Sequence, residues 1–294
     1  MRGNERIWHR RQLTTGDNPR HDSVKIARGQ HRSIHAKADR FDILCALACD
    51  AGFGRPVRRR FRHVPLRHGP RRAVIDQAFA GVTIDQNVLA FDRRQRGMFH
   101  AKSFEEYART RVIPPRIKRA NTLMQKHAQL LSRIERQFGV PQTLLMAIWT
   151  MESDNGTGDM GKLPVVRTIA TLAHDCRRTE LFQNELVSAL KILQRGDLPL
   201  RDLIGAFAGE IGQTQFLPSS YIKYGVDYDG NGHVDLRHSV PDVLASTANL
   251  LKVNGWKAGA PFGEGTENFQ VMREWNRSEI YRKTLVLFTE RMRE

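Results

Sequence analysis

No stretch of this chain approaches the roughly 18 consecutive apolar residues that a bilayer-spanning helix needs, which argues against an integral helical membrane protein. Cysteine is also scarce. Cys45, Cys49 and Cys176 are too few for a disulfide framework, and no spacing pairs them with histidines as a zinc site requires. Strand-like alternation is rare, and the chain has neither a βαβ rhythm nor an internal repeat, so its body is expected to be mostly helical. With 294 residues, 40% of them hydrophobic, there is material for one or two domains with a real core.

The net charge of +16 suggests a polyanion partner until its distribution is examined. Residues 1–72 hold 18 Lys/Arg against 6 Asp/Glu, whereas the rest of the chain holds 29 against 25. Basicity therefore belongs to the N-terminus. That segment scatters Arg58, Arg59, Arg60, Arg62 and Arg67 without a helical or alternating apolar pattern, and is expected to be a disordered extension or a basic arm for anionic polymers. Its one apolar run, Phe41 to Ala48, is too short, too far from Met1 and too interrupted by Asp42 for an ordinary signal peptide.

From Ala73 the pattern becomes that of folded sequence, with Val74, Ile75, Ala78 and Phe79 at helical spacing. After Pro114 and Pro115, one stripe carries Ile117, Leu123, Met124, Leu130, Leu131, Ile134 and Phe138, closed by Gly139; this predicts one helix of several turns. A second helix opens at Pro141, carries Leu144, Leu145, Ile148 and Trp149 towards Glu152, and ends at Asn155-Gly156. Helical patterns recur from Phe182 to Leu193, from Val243 to Leu251 and from Ile280 to Met292.

Glu152 lies four residues after Ile148 and seven after Leu145, so the helical period turns a carboxylate towards the apolar side. Burial disfavours the charged form and raises the pKa, which a general acid working near neutral pH requires. The competing reading is an ordinary helix-end Glu, frayed or paired with an arginine. A second cluster, Gly205 to Tyr221, sets three glycines beside Gln213, Thr214, Gln215, Phe216 and Tyr221. That mixture suits sugar rings, and equally a tight helix contact with a polar turn. In the third cluster, Asp227, Asp229 and Asn231 supply oxygens at loop positions one, three and five, with Gly232 at six and a His233 carbonyl at seven, as in a calcium EF-hand loop. Position twelve is His238, a poor calcium ligand. Either Asp242 closes the shell or the segment is an Asp/Asn-Gly turn, Asp242 belonging to a capping box that starts at Ser239.

Taken in order, Gly139-Val140-Pro141, Ala147-Ile148-Trp149 through Glu152-Ser153 and Gly156, Ala170 to Ala173, Gly209 to Tyr221, Asp227 to Asp235, Gly255-Trp256 and Trp275 to Ser278 resemble the lytic murein transglycosylase B family. The resemblance covers residues 73–294 and implies a mainly α (α+β), lysozyme-like catalytic domain with an EF-hand-like calcium loop. It further implies cleavage of the β-1,4 bond between N-acetylmuramic acid and N-acetylglucosamine in peptidoglycan. Glu152 would be the sole acid and then base, and the muramyl 6-hydroxyl would attack to leave a 1,6-anhydro sugar. By the same resemblance Tyr107, Gln215, Tyr221, Trp275 and Tyr281 bind substrate, and Asp227, Asp229, Asn231, His233 and Asp242 hold a structural calcium ion. No organic cofactor, nucleic acid or transmembrane segment is implied; the expected partner is a glycan strand, the expected state a monomer, and the expected location periplasmic or outer-membrane associated.

The chain departs from the family in several places. Ala206 stands where better-known members carry a Ser that orients the catalytic carboxylate, Leu250 and Trp275 replace tyrosines, and Asn231 replaces an Asp. The stretch between Trp256 and Trp275 is a shortened form of a longer insertion. Because family-like sequence starts abruptly near Ala73, residues 1–72 are expected to reflect a misassigned start or a shifted frame. Loss of the Ser at position 206 leaves a second functional reading, a calcium-dependent peptidoglycan-binding protein that has lost activity.

Overall fold

The computed structural model describes residues 69–94, 103–175 and 177–294. The expected N-terminal extension, except its last four residues, and all three cysteines lie outside the described residues. Among those described, twelve helices and one antiparallel pair of two-residue strands make up the regular structure. None of these helices is long and apolar enough to cross a membrane.

In chain order the elements are α1 (Arg72–Ala78), α2 (Gln86–Arg94), α3 (Phe104–Arg111), α4 (Pro114–Lys126), α5 (Ala128–Phe138), α6 (Gln142–Ser153), β1 (Leu163–Pro164), α7 (Val165–His174), α8 (Thr179–Arg195), β2 (Ile204–Gly205), α9 (Pro218–Tyr224), α10 (Val240–Val253), α11 (Glu267–Val271) and α12 (Glu279–Arg291). The strands pair Leu163 with Gly205 and Pro164 with Ile204. Helix α3 opens on a complete capping box, Ser103 Oγ accepting from the Glu106 amide while the Glu106 carboxylate accepts from the Ser103 amide.

The segment expected as one long helix is two. His127, at φ −104° and ψ 19°, ends α4 and starts α5. The apolar stripe continues across the break because both halves face the same core, so hydrophobic period alone does not reveal it. Helix α4 packs on α6, whereas α5 packs chiefly on α10. Gly139 ends α5 in the left-handed conformation at φ 76°, as the sequence predicts.

Helix α6 is the centre of the molecule. Leu144, Leu145, Met146, Ala147 and Ile148 are fully buried, and α12, α4, α10 and α5 surround them. Each fully buried Leu or Ile contributes about 2 kcal/mol of transfer free energy. The helix therefore has no exposed side. The expected apolar face bearing Glu152 is corrected to a helix enclosed all round, with Glu152 in its last turn.

Close backbone approaches require glycine in the second cluster. At Gly212, φ is 78° and an added Cβ would sit 2.1 Å from the Leu236 carbonyl oxygen. We expect Gly212→Ala to destabilise the protein by about 3 kcal/mol, combining left-handed strain with a backbone clash. Gly259→Ala is the control: its φ is 73° with nothing within 4 Å, so strain acts there alone. Denaturant midpoints of the two variants check this, and equal losses would show that the clash costs nothing.

Candidate active site

The carboxylate of Glu152 is reached from two residues far along the chain. The Tyr281 hydroxyl donates to its Oε1 at 2.8 Å and the Trp275 Nε1–H donates to the same oxygen at 3.2 Å. Tyr281 arrives there because Ser278 caps α12, its Oγ accepting from the Tyr281 amide at 3.3 Å. Glu152 itself is half-buried. Trp275, expected among the substrate-binding residues, is only 1% exposed, and its ring packs edge-on against Phe216 at 5.4 Å. A ring so enclosed offers no face to a sugar; what it presents to Glu152 is its indole N–H.

Charge gathers around the same end of α6. Arg111, the last residue of α3, lies with its guanidinium 5.6 Å from the centre of the Tyr107 ring, and its buried Nε has no hydrogen-bond partner. Burial pulls the Arg111 pKa below the ordinary arginine value, against the opposing pull of Asp154, Tyr281 and Glu152 nearby. Tyr107 is buried on α3, which packs against α12, the helix of Tyr281. After α6 the chain turns through three consecutive left-handed residues, Asp154, Asn155 and Gly156, with φ of 50°, 59° and 76°. The predicted Asn155-Gly156 stop thus begins one residue earlier.

The second cluster divides by role. Gln213 is structural: its Oε1 accepts from Trp149 Nε1 at 2.8 Å and its Nε2 donates to the Arg237 carbonyl at 2.8 Å. Gln215 differs, being a non-glycine residue at φ 53° whose buried Oε1 has no hydrogen-bond partner although its Nε2 donates to the Gly212 carbonyl at 2.9 Å. Strain and an unsatisfied buried acceptor together make Gln215 a candidate functional position. Tyr221, expected among the substrate-binding residues, is fully buried, and its hydroxyl donates to the Val234 carbonyl. The structure joins it to the acidic loop and not to Glu152. Burial pushes its phenol well above the ordinary tyrosine value. Ala206 and Leu250 are also buried.

In the acidic loop, one carboxylate oxygen from each of Asp227, Asp229 and Asp242 lies within 4.8 Å of the others. Asp242 is wholly buried; its Oδ1 accepts from the amides of Tyr228 at 2.7 Å and Asp229 at 3.3 Å, and its Oδ2 from that of Asp235 at 2.8 Å. Ser239 caps α10 as predicted, but the return half of the expected capping box is absent because the Asp242 carboxylate faces the loop. An all-oxygen donor set that includes a buried acid fits a hard cation. Asn231 and His233 bond to each other, the His233 amide donating to Asn231 Oδ1 at 2.9 Å, and His238 pairs with Asp235.

Arg116, which no sequence pattern marks, donates to Asp154 Oδ1 at 2.7 Å and to the carbonyls of Thr150 and Arg111. Its basic neighbours Lys118 and Arg119 make it look like part of a solvated helix face.

Comparison with known proteins agrees with the resemblance carried by the motifs. The chain is 35% identical over 155 residues to membrane-bound lytic murein transglycosylase B of Escherichia coli (strain K12), a match covering 52% of this chain and 42% of that protein, under half its length. SltB3 from Pseudomonas aeruginosa, solved in complex with NAG-NAM-pentapeptide, is 30% identical with a TM-score of 0.72, covering 76% of this chain and 75% of the other. The E. coli lytic transglycosylase Slt35, solved in complex with calcium, shares the fold at 22% identity and a TM-score of 0.67, covering 76% of this chain and 87% of that one. Residues 54–265 match the family described as the transglycosylase SLT domain, and to that family this chain belongs.

Proposed function

We propose that this protein is a peptidoglycan lytic transglycosylase that cleaves the β-1,4 bond between N-acetylmuramic acid and N-acetylglucosamine, using Glu152 as its single acid and then base. The observation that carries the reading is the convergence of Tyr281 and Trp275 on Glu152 Oε1 at the end of a buried helix. A carboxylate held by two donors in a half-buried site supplies the orientation that Ala206, lacking a hydroxyl, does not. In the first step Glu152 gives its proton to the glycosidic oxygen as the anomeric C–O bond breaks. In the second, the muramyl 6-hydroxyl bonds to the anomeric carbon and its proton passes to Glu152, which is thereby regenerated without water being consumed. One group acting twice replaces the two carboxylates of an ordinary glycosidase, because an internal nucleophile is already positioned.

In this reading Gln215 offers its unsatisfied Oε1 to a sugar hydroxyl or amide, and Tyr107, buried on α3, supports the substrate site beside Arg111. Asp227, Asp229 and Asp242 hold a calcium ion, with Asn231 and the His233 carbonyl completing an EF-hand-like loop; the ion supplies rigidity and takes no part in bond cleavage. The site of action is the peptidoglycan layer, hence the periplasm or the outer-membrane face, and the acting unit is a monomer.

Mass spectrometry of purified sacculi after digestion tests the proposal. Soluble fragments ending in 1,6-anhydromuramyl residues are expected. Reducing ends would mean lysozyme-type hydrolysis, and binding without any release would mean the inactive peptidoglycan-binding alternative.

A further inference from the structure

We propose that Arg116 is a positioning residue for Glu152, acting through the backbone on either side of it. The inference rests on the reading of Glu152 as the reacting acid. Arg116 occupies the first turn of α4, where its side chain is only 13% exposed. From there its guanidinium reaches two other helices. Nε donates to Asp154 Oδ1 at 2.7 Å, Nη2 donates to the Thr150 carbonyl, and Nη1 donates to the Arg111 carbonyl at 3.1 Å while lying 4.0 Å from Met151 Sδ.

Thr150 and Asp154 stand two residues before and two residues after Glu152. The Thr150 carbonyl, which also accepts from the Asp154 amide at 3.0 Å, belongs to the last turn of α6, whose dipole favours a cation. Immediately beyond it, Asp154 and Asn155 occupy left-handed conformations at φ 50° and 59°, so the turn persists only if its surroundings hold it. Arg116 is such a holding group. Its third contact, to the Arg111 carbonyl, anchors the end of α3 and with it the Arg111 guanidinium, which lies 5.6 Å from the Tyr107 ring centre and interacts electrostatically with Glu152 and Tyr281. One side chain therefore sets the relation between the turn that carries the carboxylate and the helix that supplies its cationic neighbour.

Three donors in a rigid planar fork meet three fixed acceptors. A lysine ammonium keeps the charge but loses that geometry. The test compares Arg116→Lys and Asp154→Ala with wild type in the full-length protein, measuring kcat and KM on sacculi together with the 15N–1H resonance of the Trp275 indole, whose N–H donates to Glu152. The expected result for Arg116→Lys is a roughly tenfold fall in kcat with KM unchanged and a displaced Trp275 resonance, since small displacements of a reacting group are costly. Asp154→Ala, which removes one of the three acceptors at a half-exposed position, moves both readouts the same way by less. If Arg116→Lys fails to fold, Asp154→Ala decides on the same two readouts.

A Trp275 resonance unmoved in the folded variants, with any loss of activity tracking only the folded fraction, overturns the proposal and leaves Arg116 a merely structural clamp. If wild type leaves sacculi intact, the functional reading fails. The Trp275 resonance then still decides whether Arg116 positions the carboxylate.

Discussion

Glu152→Gln is expected to reduce release of anhydromuropeptides from sacculi by roughly a thousandfold, the contribution of a positioned general acid and base. The amide retains an oxygen that accepts from Tyr281 and Trp275, so the two hydrogen bonds at 2.8 and 3.2 Å survive and thermal stability changes little. What is lost is the proton itself: an amide neither donates one to a leaving oxygen nor takes one from the 6-hydroxyl. This separation of chemistry from folding makes the substitution decisive. Assays of product release alongside a thermal melt check it, and a variant within tenfold of wild type would mean that another group carries the proton.

Asp242→Ala is expected to be the most destabilising change in the acidic loop, by about 3 kcal/mol or more, whether or not calcium is present. Its carboxylate accepts from three backbone amides, those of Tyr228, Asp229 and Asp235, and it does so with no exposed surface. Removing it strands donors that water reaches poorly, and an orphaned buried donor costs ~1–3 kcal/mol. Asp227 also accepts from three amides, those of Gly230, Asn231 and Gly232, but there the surroundings are exposed and water takes its place. Asp227→Ala is therefore expected to cost little in chelator and to abolish the gain from added calcium. That gain in wild type is about 2.7 kcal/mol at a hundredfold excess over Kd. Denaturant melts of the three proteins with calcium and with chelator check both statements. A wild-type stability indifferent to calcium would remove the ion from the proposed function and leave Asp242 as a hydrogen-bonding hub.

The sequence by itself determined the features that depend on neighbours along the chain. The helical class follows from apolar spacing, the end of α5 from Gly139, and the start of α10 from Ser239. Glu152 was legible because its helix is apolar through Trp149, which makes a carboxylate in the next turn conspicuous. The acidic loop was legible from the spacing of Asp227, Asp229 and Asn231, since oxygens on alternate residues of a glycine-containing loop turn to a common centre.

Only the tertiary structure decided what those residues meet. The partners of Glu152 lie 123 and 129 positions further on, and Arg116 reaches Asp154 from 38 positions before it. No local period encodes contacts of that range. For the same reason the resemblance places Tyr221 and Trp275 among the substrate-binding residues, whereas the Tyr221 hydroxyl is committed to the Val234 carbonyl and the Trp275 ring is enclosed. The break at His127 is of this kind too: two helices that share one apolar stripe differ only in which helices receive them. Local sequence sets the conformational preference of each segment, whereas hydrogen bonds between segments form only once packing of the apolar core has brought their backbones together.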